Sequence, residues 1–266
     1  MRTGAIGSPL SPGAIVTRAA DAVVCVCLAP CCASCDEPLT APLAGAVCEA
    51  CWRAIRTITP PVCDHCGDPL PAWRAMSRER ASCPRCRRTA RAIDRGRSAG
   101  EYDGTLRQII HALKYDGRRS LAPRLAALMR RLGGDLLDDA DWVVPVPLHW
   151  RRQRTRGFNQ ACDLARHLDV PVLDALERIR HTMPQIELPA PRRHANVRDA
   201  FALKAHRLPW KRRASPASRL AGTCVVLVDD VSTTGATLDA CARVLKQAGV
   251  REVRALTAAR VVARPR

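Results

Sequence analysis

The sequence predicts an α/β fold, a mainly parallel sheet flanked by helices, with a small metal-stabilised module ahead of it. Three observations predict it. Apolar strands alternate with amphipathic helices from about residue 91 onward, one strand runs through two acids into a hydroxyl-rich loop and a helix, and four C-x-x-C pairs crowd the region before residue 90. Alternating strands and helices form βαβ units, whose strands pair in parallel.

Residues 1–21 contain Gly, Ser, Pro and Ala with no sustained period and read as a loose lead-in. Residues 22–90 form the cysteine module and residues 91–266 the α/β domain. Within that domain Leu106, Ile109, Ile110 and Leu113 recur at helical spacing over 105–113. Leu121, Leu125, Leu128, Met129 and Leu132 repeat the pattern over 121–132, and Gly133 and Gly134 stop it. Residues 142–146 read as a buried strand ended by prolines, 158–168 as a helix and 170–173 as a short strand. Residues 178–200 are polar, basic and Pro-broken, the profile of a long mobile loop. A second basic connection spans 202–222. A strand at 224–228, a helix at 237–247 closed by Gly249 and a strand at 253–262 complete the order.

Composition bounds the function. A hydrophobic fraction of 47% supports a sizeable core, and an aromatic fraction of 3% means that Leu, Val, Ile and Ala must build it. A net charge of +18 suits a polyanionic partner such as nucleic acid, although Arg-rich solvated surfaces account for it equally well. No stretch approaches the roughly 18 apolar residues of a membrane span, so no membrane insertion is expected. The apolar run 22–32 is short, and Pro30 is a poor neighbour for a lipidated Cys31. A reducing cytoplasm is the expected compartment.

Of 14 cysteines, eight fall into the pairs Cys32/Cys35, Cys48/Cys51, Cys63/Cys66 and Cys83/Cys86. Each C-x-x-C turn can present two thiolates to one ion, and two turns complete a tetrahedral Zn²⁺ site. Two structural zincs would supply folding energy to a segment without a conventional core. Spacing allows sequential or interleaved pairing of the turns, and Cys31 could replace Cys32. Cys162, Cys224 and Cys241 lie on apolar faces and read as buried small hydrophobes. His65 reads as a bystander.

The stretch VVLVDDVSTTGAT, residues 225–237, carries the densest chemistry. Asp229 and Asp230 end a strand at the carboxyl edge of the sheet, where open α/β sheets bind ligands. Carboxylates there can accept hydrogen bonds from both hydroxyls of a ribose. Thr233, Thr234, Gly235, Ala236 and Thr237 offer N–H groups and hydroxyls at a helix N-terminus, an anion site suited to a 5′-phosphate. Helix capping alone needs one such residue. Upstream, Pro145, Val146 and Pro147 make a stiff strand end before the run RRQRTRGFNQA, whose four Arg within six residues can clamp phosphate groups. Arg156 and Lys114 are the candidate contacts to the pyrophosphate or substrate, though Lys114 also suits a plain helix-end cation.

The acid–threonine stretch resembles the fingerprint of type I phosphoribosyltransferases for phosphoribosyl pyrophosphate (PRPP), with Ser232 where that pattern usually has an apolar residue. Taken with the four C-x-x-C pairs, HALKYDG, VPVPL, RGFNQA and the set Thr182, Gln185, Arg192 or Arg193, Asn196 and Phe201, the order of motifs resembles the ComF family of competence-associated proteins. The resemblance implies a type I phosphoribosyltransferase fold with an N-terminal double zinc ribbon, and PRPP bound with Mg²⁺. It further implies a role in DNA uptake and recombination during natural transformation, with single-stranded DNA and competence or recombination proteins as partners. Under that resemblance Asp229 and Asp230 are the catalytic pair of a transferase with an unknown acceptor. The rival reading is a non-catalytic PRPP-sensing or scaffold domain in a single-stranded-DNA-binding adaptor.

Overall fold

The computed structural model describes residues 12–71, 81–180, 199–204 and 216–262. The chain forms two compact units that divide between Ala54 and Ile55. In the first, helix α1 (Pro12–Leu28) covers residues that the sequence reading left without regular structure. Its Ala-rich composition and leading proline explain the helix, since Ala has the highest helix propensity and Pro is tolerated at a first turn. Asp21 accepts a hydrogen bond from the Leu43 amide at 2.9 Å, and the Cys25 thiol donates to the Leu39 carbonyl at 3.1 Å. These tie α1 to the segment holding the first cysteines. Helix α2 (Glu49–Arg53) follows, with Cys48 as its N-cap.

The second unit begins with the third and fourth C-x-x-C turns and helix α3 (Pro84–Arg88). Strand β1 (Arg95–Glu101) then leads to α4 (Gly104–Tyr115) and α5 (Ala122–Gly133). Strand β2 (Trp142–Pro145) precedes α6 (Trp150–Arg156) and α7 (Gln160–Ala165). After β3 (Leu176–Arg178), β4 (Phe201–Leu203) and α8 (Pro216–Leu220), the chain ends in β5 (Cys224–Ser232), α9 (Ala236–Gln247) and β6 (Glu252–Arg260). Strands β1, β6, β5 and β2 lie side by side in that order, every pair parallel. Helix α9 packs with β4, β5 and β6, while α5 and α7 pack with each other and with the sheet.

The core follows the strand alternation. Val225 and Leu227 of β5 are buried with Leu238, Cys241 and Leu245 of α9 and with Val144, Leu176 and Phe201. Leu106, Ile109, Ile110 and Leu113 of α4 and Leu125 and Met129 of α5 are at most 1% exposed. Burial of such a side chain contributes about 1.5–3 kcal/mol, so the two predicted amphipathic helices anchor the unit.

The structure departs from the sequence reading at several elements. Strand β1, RGRSAGE, has no apolar alternation and was not predicted. Residues 170–173 make a single parallel bridge, Val143 to Val172, instead of a strand. The helix expected over 158–168 is regular only from Gln160 to Ala165. Residues 176–178 and 201–203 pair antiparallel as β3 and β4, and of the loop expected at 178–200 residues 181–198 lie outside the described residues. Finally, β5 continues to Ser232, so the two acids lie inside the strand. Pairing with β2 ends at Pro145–Val228, whereas pairing with β6 runs on to Ser232–Arg260. Past Val228, β5 therefore lines an open crevice at the carboxyl end of the sheet, the position where such folds bind ligands.

Candidate functional site

That crevice is a cleft of about 760 Å³. Asp229, Asp230, Thr233 and Thr237 line it from β5, the loop after it and the start of α9; Lys114 and Tyr115 come from the end of α4, and Arg151, Arg152 and Arg156 from α6. Arg178 of β3 lines the same cleft.

Each side chain is held by its element. Amphipathic α4 buries one face and so carries Lys114 inward, where Nζ stands 2.7 Å from Asp230 Oδ2. Burial pulls the Lys114 ammonium down, but the carboxylates of Asp230 and Asp229 outweigh it and hold its pKa above the usual value. Asp229 is pushed well above the carboxylate range, first by burial and then by the adjacent Asp230 carboxylate. Its Oδ1 accepts the Asp230 amide at 2.9 Å. In α6, His149 serves as N-cap, accepting from the Arg151 amide, and Gly157 closes the helix at φ 77°. His149 thus serves the helix start. Arg156 lies 5.0 Å over the Tyr115 ring and donates to Gln160 Oε1 at 2.9 Å. The Arg178 guanidinium has its pKa lowered by burial and by nearby Arg152, so two cations crowd a site that an anion would relieve.

The remaining predicted residues divide. Thr234 and Gly235 line a small separate pocket with Arg91, Cys66 and Arg260, and Ala236 is buried. Gly235 adopts φ 76° as the N-cap of α9, a left-handed position that favours glycine. Pro145, Val146 and Pro147 are buried behind the cleft. There the Val146 amide donates to Val228 O at 2.9 Å and its carbonyl accepts from Asn159 Nδ2 at 3.0 Å, which sets the entry of α6 and α7. Of the family-derived set, only Phe201 lies within the described residues, buried in β4; Thr182, Gln185, Arg192, Arg193 and Asn196 do not. Arg151 and Arg152 belong to the predicted arginine run. Arg178 and Gln160 were not singled out, and no local signal marks Arg178, whose place depends on the β3–β4 pairing.

The cysteines resolve into two quartets in sequential pairing, Cys32/Cys35/Cys48/Cys51 and Cys63/Cys66/Cys83/Cys86. Within each, the four Sγ atoms lie within 4.8 Å of one another. Zn–S bonds of about 2.3 Å in a tetrahedron place sulfurs about 3.8 Å apart; Cys35 and Cys48 are 3.9 Å apart, and Cys66 and Cys83 3.7 Å. The donor sets fit structural Zn²⁺, closed by four thiolates. Burial raises the Cys32 thiol, but backbone amides of Cys48, Cys35 and Ser34 outweigh it and lower its pKa to about 6, whereas burial pushes the Cys51 thiol up to about 12; a bound cation would hold all four as thiolates. Cys31 is exposed outside the quartet and His65 supplies no ligand. Cys224 and Cys241 are fully buried and Cys162 partly so.

Among the described residues no helix is long and apolar enough to cross a membrane.

Comparison with known proteins finds two family models along the chain. Residues 154–265 match the model of the phosphoribosyl transferase domain and residues 23–87 that of the double zinc ribbon domain. Competence protein F of Haemophilus influenzae is 31% identical over 78% of this chain and 87% of that protein. DNA utilization protein YhgH of Salmonella typhi is 33% identical over 84% of this chain and 93% of its own. Competence protein ComFC of Bacillus subtilis is 27% identical over 76% and 79% of the two chains.

Proposed function

The chain belongs to the ComF family of competence-associated proteins, and from that premise we propose that its type I phosphoribosyltransferase domain binds PRPP with Mg²⁺ in the 760 Å³ cleft. The observation that carries this reading is that one cleft brings together two carboxylates, Asp229 and Asp230, and five cations, Lys114, Arg151, Arg152, Arg156 and Arg178, of which Lys114 is ion-paired with Asp230. Ribose hydroxyls donate to the acids. Thr233 and Thr237 meet the 5′-phosphate at the start of α9, where the helix dipole favours anions. The guanidinium groups receive the pyrophosphate. Bound Mg²⁺ would neutralise part of the pyrophosphate charge and would be held through the substrate phosphates rather than by an all-protein cage.

In transfer, the bond from ribose C1 to the pyrophosphate oxygen breaks with its electron pair going to pyrophosphate. The acceptor nucleophile forms the new bond at C1 and gives up its proton to solvent. The protein's part is to position both reactants and to stabilise charge, the acids near the cation-like ribose and the arginines near the leaving group. PRPP with nucleobases, DNA or RNA as acceptors is expected to release pyrophosphate, and Asp230→Asn to abolish it. No release with any of these acceptors counts against transfer.

A second reading rests on α6. Trp150 is 54% exposed beside the cleft's arginines, with Arg151 5.3 Å and Arg154 5.9 Å from its ring. A stacking ring among cations suits an unpaired base and its phosphates. The relatives' names place those proteins in competence and DNA utilization. On this reading the domain senses PRPP or acts as a scaffold within a single-stranded-DNA-binding adaptor. Binding to single-stranded DNA should weaken steeply with salt and survive Asp230→Asn; no binding at low salt overturns it.

A further inference from the structure

The second cysteine quartet does more than hold its own turn. Arg260, the last residue of β6, is 2% exposed and reaches both that turn and the phosphate loop. Its Nη1 donates to the Cys66 carbonyl at 2.7 Å and its Nε to Asp68 Oδ1 at 2.8 Å. Its Nη2 lies 3.5 Å from Cys66 Sγ, and Nη1 is 3.4 Å from Ser232 Oγ. Ser232 is the residue just before Thr233, and it pairs with Arg260 in the sheet. The hydroxyl that departs from the usual apolar residue thus has a partner in this chain. A second tie runs from Arg91, whose Nη2 donates to the Thr234 carbonyl at 3.5 Å.

The turn packs closely against the sheet. A Cβ on Gly96 of β1 would stand 2.8 Å from the His65 carbonyl, and one on Gly67 3.0 Å from Arg97 Cα. The Gly96 amide donates to Asp64 O at 2.7 Å. A metal held by Cys63, Cys66, Cys83 and Cys86 fixes the turn that presents Cys66 O and Asp68 to Arg260. Arg260 in turn fixes Ser232 at the root of the loop.

We propose that Arg260 is a positioning residue that makes the second zinc quartet part of the support of the phosphate loop, so that the order of residues 232–237 depends on that metal. The inference rests on reading 229–237 as a ligand loop, but its mechanical content can be measured without ligand. Hydrogen exchange on the full zinc-loaded chain reports amides in 229–237 and in 63–70. Arg260→Met should raise exchange in both stretches tenfold or more. Arg254→Met supplies the control. Arg254 is a second buried arginine of β6, paired with Glu252 and Asp139 at the strand's other end, and its loss should leave 229–237 unchanged.

Should Arg260→Met not fold, chelation of the wild-type metal replaces it: exchange in 229–237 should rise tenfold, and should not rise in Cys48→Ser, which dismantles only the first quartet. Unchanged exchange in 229–237, or an equal rise in the control, overturns the proposal. Titration of PRPP with Mg²⁺ into the same proteins separates the two claims. A tenfold weaker affinity in Arg260→Met supports both. Raised exchange with no PRPP binding even to wild type supports the link and overturns the ligand reading.

Discussion

The turns at 32–39, CASCDEPL, and 63–70, CDHCGDPL, are built alike. The Cys32 amide donates to Glu37 O and the Cys63 amide to Asp68 O, both at 2.8 Å. Leu39 bonds back to Pro30, and Leu70 to Pro61, both at 2.9 Å. The residue after the second cysteine is left-handed in each, Asp36 at φ 59° and Gly67 at φ 71°. Their settings differ. Asp36 is exposed, whereas Gly67 is buried against the backbone of β1. Cys66 and Asp68 bind a buried arginine of the sheet; Cys35 and Glu37, at the same places in the first turn, are exposed. The same turn can stand at an exposed edge or be built into the parallel sheet, and the residues around it decide which.

The largest effect should come from breaking each quartet in turn. A structural zinc contributes on the order of 10–16 kcal/mol of apparent folding free energy. Cys32→Ser should therefore make residues 12–54 protease-sensitive while the α/β unit keeps its melting temperature. Cys63→Ser should lower the melting of the α/β unit by roughly 10 °C or more, as expected when several kcal/mol are lost at about 2–4 °C each. Equal melting in the two variants would erase the contrast.

A smaller effect separates the two left-handed residues. Gly67→Asp meets both strain and the Arg97 backbone and should cost about 2–4 kcal/mol in denaturant unfolding. Asp36→Gly should stay within about 1 kcal/mol of wild type. A neutral Gly67→Asp would show that the second turn is as free as the first.

The smallest expected effect is confined to the unit that carries the second turn. Since burial and Asp230 raise the pKa of Asp229, the folded state holds that proton more tightly than the unfolded chain does. Ionisation then costs stability, beginning as pH rises past about 3.9, the unfolded carboxylate value, and reaching its full size above the folded pKa. Asp229→Asn should raise the melting temperature of the ligand-free α/β unit by a few degrees at pH 7–8 and leave it unchanged near pH 3. The same gain at both pH values would remove the carboxylate as its cause.

Much of this was legible in the sequence. Apolar spacing marked α4 and α5 because each buries one face, and the acid–threonine stretch marked the crevice because its chemistry is concentrated in adjacent residues. The eight ligand cysteines were marked by spacing, which left their pairing open until the turns were placed in space. Strand β1 was hidden because its pattern is dictated from outside. Gly96 is small to admit His65, and Ser98 faces Thr257 at 2.7 Å in place of an apolar contact. Arg260 and Arg178 were hidden for a related reason, since their partners lie far away in sequence and no local period announces them.

The central claim is that the crevice beside Asp229 and Asp230 is a PRPP site. Calorimetric titration of PRPP, with and without Mg²⁺, into the wild type and the Asp229→Asn/Asp230→Asn double variant tests it most directly. Saturable binding to wild type, strengthened by Mg²⁺ and lost in the double variant, is the predicted result; no heat from wild type, or equal binding by both proteins, would contradict it.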